Sequence, residues 1–158
     1  MIDHQAQQDG DAAVIAVHNR IFFRVFQAGN TLQRQATAQL GISTVQWAIL
    51  GALARPRASD GMTVTELADH IVVSRQNLDG VLTRLERDGY VVRAPDATDK
   101  RNRRVQMTPK GWKFWRDLQK TISEFYKQAL AGLNFDDKIA FAHYLNQLQT
   151  KLRAVTLR

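Results

Sequence analysis

Between Ser74 and Arg87 the side chains fall into two sets that a helix would separate. Leu78, Val81, Leu82 and Leu85 stand at i, i+3, i+4 and i+7, the spacing of a single apolar stripe. Advancing about 100° per residue from Leu78 keeps them within roughly 50° of one direction. The opposite face carries Gln76, Gly80, Thr83 and Arg87, with Asn77 and Arg84 at its edge. Gln and Asn can pair bidentately with adenine and Arg with guanine, Thr can touch a thymine methyl, and Gly lets a phosphate approach the backbone. A face built only for solvent favours Lys and Glu, so this composition weighs toward base reading. Ser74, Arg75, Gln76, Asn77, Thr83 and Arg84 are therefore the candidate DNA contacts of this stretch. A second constellation follows at Asp99–Arg104, where Lys100, Arg101, Arg103 and Arg104 place four cations in six residues. On a projecting hairpin these can reach phosphates or a narrow minor groove. Charges that keep a sheet edge from aggregating have the same pattern.

These residues need a scaffold. Thr63 and Glu66 have capping-box spacing ahead of Leu67, Ala68 and Ile71, which predicts a short helix. Val72-Val73 leads to Ser74, a good N-cap, and Gly89 closes the helix it opens. Two short helices across a tight turn read as a helix-turn-helix. Tyr90–Arg93 is strand-like, Pro95–Asn102 is polar and charged, and Arg103–Met107 alternates again, which predicts a hairpin. On either side lie long helices. One runs from Asp11 to about Gln39, apolar over an unusually wide arc that includes Phe22, Phe23 and Phe26, and is stopped by Gly41. Ser43 or Thr44 opens the next, through Trp47 to Ala54. Thr108-Pro109 starts another that runs to about Ala131. Asn134 and Asp137 can cap a last one, with a seam at Phe141, Leu145, Leu148 and Leu152.

The expected fold is mostly α with a small β-hairpin wing: a winged helix-turn-helix over 43–107, flanked by helical dimerisation regions at 11–42 and 108–158, with a flexible tail at 1–10. A set of 22 Lys and Arg against 15 Asp and Glu leaves a net charge of +7, which favours a polyanionic partner. The absence of cysteine excludes disulfides, thiolate metal sites and thiol redox switching. His4, His18, His70 and His143 show no ligand spacing, so no metal is expected. No nucleophile triad or glycine-rich phosphate loop is visible, so neither an enzyme nor a cofactor is expected. With no signal-peptide core and no apolar run of membrane length, the expected location is cytoplasmic.

The segment SRQNLDGVLTRLERDGYVVR (Ser74–Arg93) and the segment DKRNRRVQMTPKG (Asp99–Gly111) resemble the MarR family of winged-helix regulators. The order of elements agrees over residues 12–153. The resemblance implies a homodimer on a (pseudo)palindromic operator, the helix after Ser74 in the major groove, and the wing in the minor groove. It further implies that Arg101 is the minor-groove residue and that Asp99 orients it. Asn102 departs from the Asp that many relatives carry there. Such regulators commonly release DNA when a phenol or aromatic carboxylate binds between dimer helices and DNA-binding lobe. The candidate effector residues are His18, Phe22, Trp47 and Trp112, which ordinary core packing would equally explain. Repression relieved by such an effector is the expected activity. An effector-independent or architectural DNA-binding protein is the alternative.

Overall fold

The computed structural model describes residues 2–96 and 103–157. They form six α-helices and three strands: α1 (Ile2–Gln35), α2 (Thr44–Leu53), β1 (Met62–Thr63), α3 (Val64–Ile71), α4 (Arg75–Arg87), β2 (Val91–Pro95), β3 (Arg103–Met107), α5 (Pro109–Ala129) and α6 (Phe135–Arg153). The chain divides into two compact units, residues 1–118 and 119–158, with the boundary inside α5.

In the first unit the helix starts follow local side-chain chemistry. Ser43 caps α2 by accepting from the Gln46 amide, and Gln46 returns the bond to the Ser43 amide. Thr63 and Glu66 do the same for α3, as their spacing predicts. Ser74 Oγ accepts from the Asn77 amide at 3.2 Å and so fixes where α4 begins. Each such cap contributes about 1 kcal/mol by satisfying an orphan amide. Helix α1 begins at Ile2, upstream of the periodic stretch at Asp11, and ends in a π-helical turn, Ala36–Leu40, before Gly41. The Gln33 side-chain carbonyl accepts from both the amide and the hydroxyl of Thr44, pinning the end of α1 to the start of α2.

Two features lie beyond what periodicity shows. The turn between α3 and α4 passes through Val72 at φ 58°, a left-handed conformation that is costly for a β-branched residue. The expected hairpin is also a three-stranded antiparallel sheet of order β1-β3-β2, in which Met62 pairs with Val105 and Val91 with Met107.

The core of this unit joins Ile49, Leu50 and Leu53 of α2 to Leu67 of α3, to Val91 and Val105 of the sheet, and to the whole predicted stripe of α4: Leu78, Val81, Leu82 and Leu85. Burying one face of α4 this completely turns its other face outward. The start of α5 is fixed by close approach. A Cβ on Gly111 would sit 2.0 Å from the Tyr90 carbonyl oxygen, so only glycine fits there without a shift. Thr108 Oγ1 donates to the Gly89 carbonyl and accepts from the Gly111 amide, and the Tyr90 ring stacks on Phe114 at 4.4 Å.

The second unit contains the end of α5 and α6, whose first turn is capped reciprocally by Asn134 and Asp137. Phe141, Leu145 and Leu152 of the predicted seam are exposed and Leu148 is half-buried.

Candidate nucleic-acid interface

Six of the expected DNA contacts lie on α4 or at its cap. Ser74, Arg75, Gln76, Asn77, Thr83 and Arg84 are all exposed, which follows from the burial of the opposite stripe. Among the described residues, none holds the side chain of Arg75, Gln76, Asn77 or Arg84 in a hydrogen bond or ion pair. Their donors and acceptors are thus unspent, as groove readout requires. Thr83 differs. Its hydroxyl donates to the Asp79 carbonyl at 2.9 Å, so what it has to offer a base is the apolar contact of its methyl. Gly80 sits on the same face, and a Cβ added there would meet nothing within 4 Å.

Sequence reasoning missed what joins this helix to the wing. Arg93, on β2, lies against α4 with its side chain only 18% exposed. Its Nη1 is 2.6 Å from Asp79 Oδ1, and its Nη2 reaches the Asp79 carbonyl and, at 3.5 Å, the Thr83 hydroxyl. Its Nε forms an ion pair with Glu86 at 3.0 Å but is not aligned as a hydrogen bond. Asp79, Thr83 and Glu86 stand at i, i+4 and i+7 on α4, so one guanidinium spans two helical turns. The available signal was a pair of acids at that spacing followed by an arginine in the next strand.

At the wing base, Arg103 is exposed, whereas Arg104 has a different task from its neighbours. Arg104 Nη1 donates to Asp96 Oδ2 at 3.0 Å, Nη2 to the Gly61 carbonyl at 2.7 Å, and Nε to the Asp60 carbonyl at 3.1 Å. Asp96 is 8% exposed, and the bond to it raises the guanidinium pKa further above its usual value. Of the four cations counted in this stretch, Arg104 is therefore a clamp that holds the β1 turn to β3. Asp99, Lys100 and Arg101 lie outside the described residues.

The four expected effector residues are distributed over three helices. His18 and Phe22 are exposed one turn apart on α1, and Trp47 on α2 and Trp112 on α5 are half-buried. Among the described residues no group of three or more metal-ligating side chains gathers, and no helix is long and apolar enough to cross a membrane.

A sequence profile described as MarR family matches residues 40–102. The chain is 40% identical over 145 residues to the Transcriptional activatory protein BadR of Rhodopseudomonas palustris, covering 89% of this chain and 83% of that protein. It is 28% identical over 134 residues to the Homoprotocatechuate degradative operon repressor of Escherichia coli, covering 83% of this chain and 88% of the repressor. The fold is also that of a MarR/EmrR family transcriptional regulator from Acinetobacter: TM-score 0.71, 18% identity, 89% of this chain and 96% of that one.

Proposed function

The chain belongs to the MarR family of DNA-binding transcriptional regulators, and on that premise we propose that it works as a homodimer whose two α4 helices read successive major grooves of an operator. The observation that carries this reading is the outward face of α4, where Arg75, Gln76, Asn77 and Arg84 have no partner among the described residues. Arg103, with Lys100 and Arg101, supplies phosphate and minor-groove contacts. In this reading residues 43–107 are the DNA-binding domain, and 11–42 with 108–158 the dimerisation region.

Selection from a randomised duplex pool tests it. The expected product is an inverted repeat with half-site centres about 34–36 Å apart. Gln76→Ala and Asn77→Ala should each cost about 1–3 kcal/mol and relax preference at single positions, whereas Arg101→Ala should weaken all sequences and flatten the salt dependence. Unselective binding with no repeat would overturn base reading by α4.

The effector in this proposal is a small aromatic acid or phenol at His18, Phe22, Trp47 and Trp112, and its binding releases DNA. In support, the repressor at 28% identity is named for the degradation of homoprotocatechuate, an aromatic acid. Tenfold release requires only about 1.4 kcal/mol of preference for the DNA-incompetent state. One relative is named an activator and the other a repressor, so relatedness by itself supports either sign. Repression, expected from the sequence, corresponds to an operator that overlaps the promoter. Titrating benzoate- and phenol-type compounds while following tryptophan fluorescence and operator binding tests the effector. Compounds that bind but leave operator affinity untouched would sink it.

A further inference from the structure

A second constellation of cations lies away from α4, in a cleft of about 280 Å³ formed where α2 ends, β1 begins and α3 passes. Its charged lining is Arg55, Arg57 and Arg104 against a single carboxylate, Glu66, with the exposed imidazole of His70 beside them. Ala52, Ala58 and Met62 add an apolar floor. The two kinds of arginine differ in what they have left to give. Arg104 is held by three of its five N–H donors, to Asp96, Gly61 and Asp60, so it contributes chiefly a fixed positive wall. Glu66 is 3.7 Å from that wall and already accepts from the Thr63 amide, so its charge is largely answered. Arg55 and Arg57 are exposed, and among the described residues neither side chain has a hydrogen-bond or ion-pair partner.

We propose that this cleft is a binding site for a small organic carboxylate, held by the Arg55 and Arg57 guanidiniums with its apolar body on Ala52, Ala58 and Met62. A guanidinium fork matches a carboxylate bidentately and is the strongest charge-assisted donor available to a side chain. The floor argues against a DNA phosphate, whose hydrophilic surface would leave that apolar wall uncovered. The volume falls just below the usual range of small-molecule sites, about 300–1,000 Å³, which suits one ring or a short chain. The site is separate from the His18, Phe22, Trp47 and Trp112 set and does not depend on it. Its occupant would touch the joint where Arg104 secures the wing base, which makes it a means of sensing acids on the DNA-binding lobe itself.

The test is an amide-resonance titration of the full-length protein with benzoate, with neutral benzamide as control. Benzoate should saturably shift Gly61, Met62 and His70, and benzamide should bind at least tenfold more weakly. The Arg55→Ala/Arg57→Ala double variant, at two exposed positions, should lose at least tenfold in benzoate affinity with its spectrum otherwise retained. His18→Ala should leave these shifts intact. The proposal is overturned if the cleft resonances stay still to millimolar benzoate, if benzamide binds as well as benzoate, or if the double variant binds normally. Shifts confined to α1 and the tryptophans would overturn it while supporting the effector site proposed above. Shifts confined to the cleft would have the opposite meaning.

Discussion

Gly80 shows how one residue can separate stability from function. An exposed glycine inside a helix costs roughly 1 kcal/mol relative to alanine, and the space around Gly80 is open to a Cβ. Gly80→Ala should therefore raise the unfolding free energy by about 0.5–1 kcal/mol in urea titration while weakening operator binding, because a backbone or phosphate can no longer come as close. Unchanged operator affinity in that variant would remove Gly80 from the interface. The wing cations show the limit of reading residues one at a time. Arg103 and Arg104 are indistinguishable as charges in sequence, yet only Arg104 meets the carbonyls of Asp60 and Gly61 and the buried carboxylate of Asp96. Those partners come from a turn distant in sequence and from the residue just past the neighbouring strand, so no local pattern announces them.

At the scale of elements, what was legible is what is locally determined. Helices α3, α4 and α6 start at the caps their side chains predict, and the four-residue stripe of α4 is buried as its spacing requires. Strand β1 was not legible, because two residues become a strand only through pairing with Val105 and Arg104. The bond between α4 and β2 was equally hidden. It has a measurable consequence: Arg93→Ala should cost about 1 kcal/mol of stability, a modest value because Asp79 is 60% exposed and solvent screens the pair. In a double-mutant cycle the Arg93 and Asp79 substitutions should fall short of additivity, in operator affinity as well as in stability. Simple additivity in both would mean that β2 does not position α4.

At the scale of the whole molecule, the feature that demands an explanation is apolar surface. Val14, Phe22, Phe23 and Phe26 of α1 and Phe141 and Tyr144 of α6 are all more than half exposed, beyond what a soluble monomer ordinarily leaves uncovered. A second copy of the chain is the occupant that the proposed operator symmetry asks for. Sedimentation should give a dimer at micromolar concentration, and Phe23→Asp/Phe26→Asp should yield monomer or unfolded chain, since obligate dimers share their stability with their interface. A well-folded wild-type monomer would defeat the two-fold reading. The wide arc of α1 was visible in sequence, where it already pointed to residues 11–42 as part of a dimerisation region.

The Arg93 tether also bears on how such proteins acquire new targets. A segment transplanted from another regulator to change base preference would have to bring acids equivalent to Asp79 and Glu86, or the recipient's Arg93 would be left largely desolvated and without its carboxylates. Residues 79–93 are then the smallest segment that carries the tether whole. Recombination inside it should yield chimeras destabilised by about 1 kcal/mol or more, and exchange at its borders chimeras of parental stability.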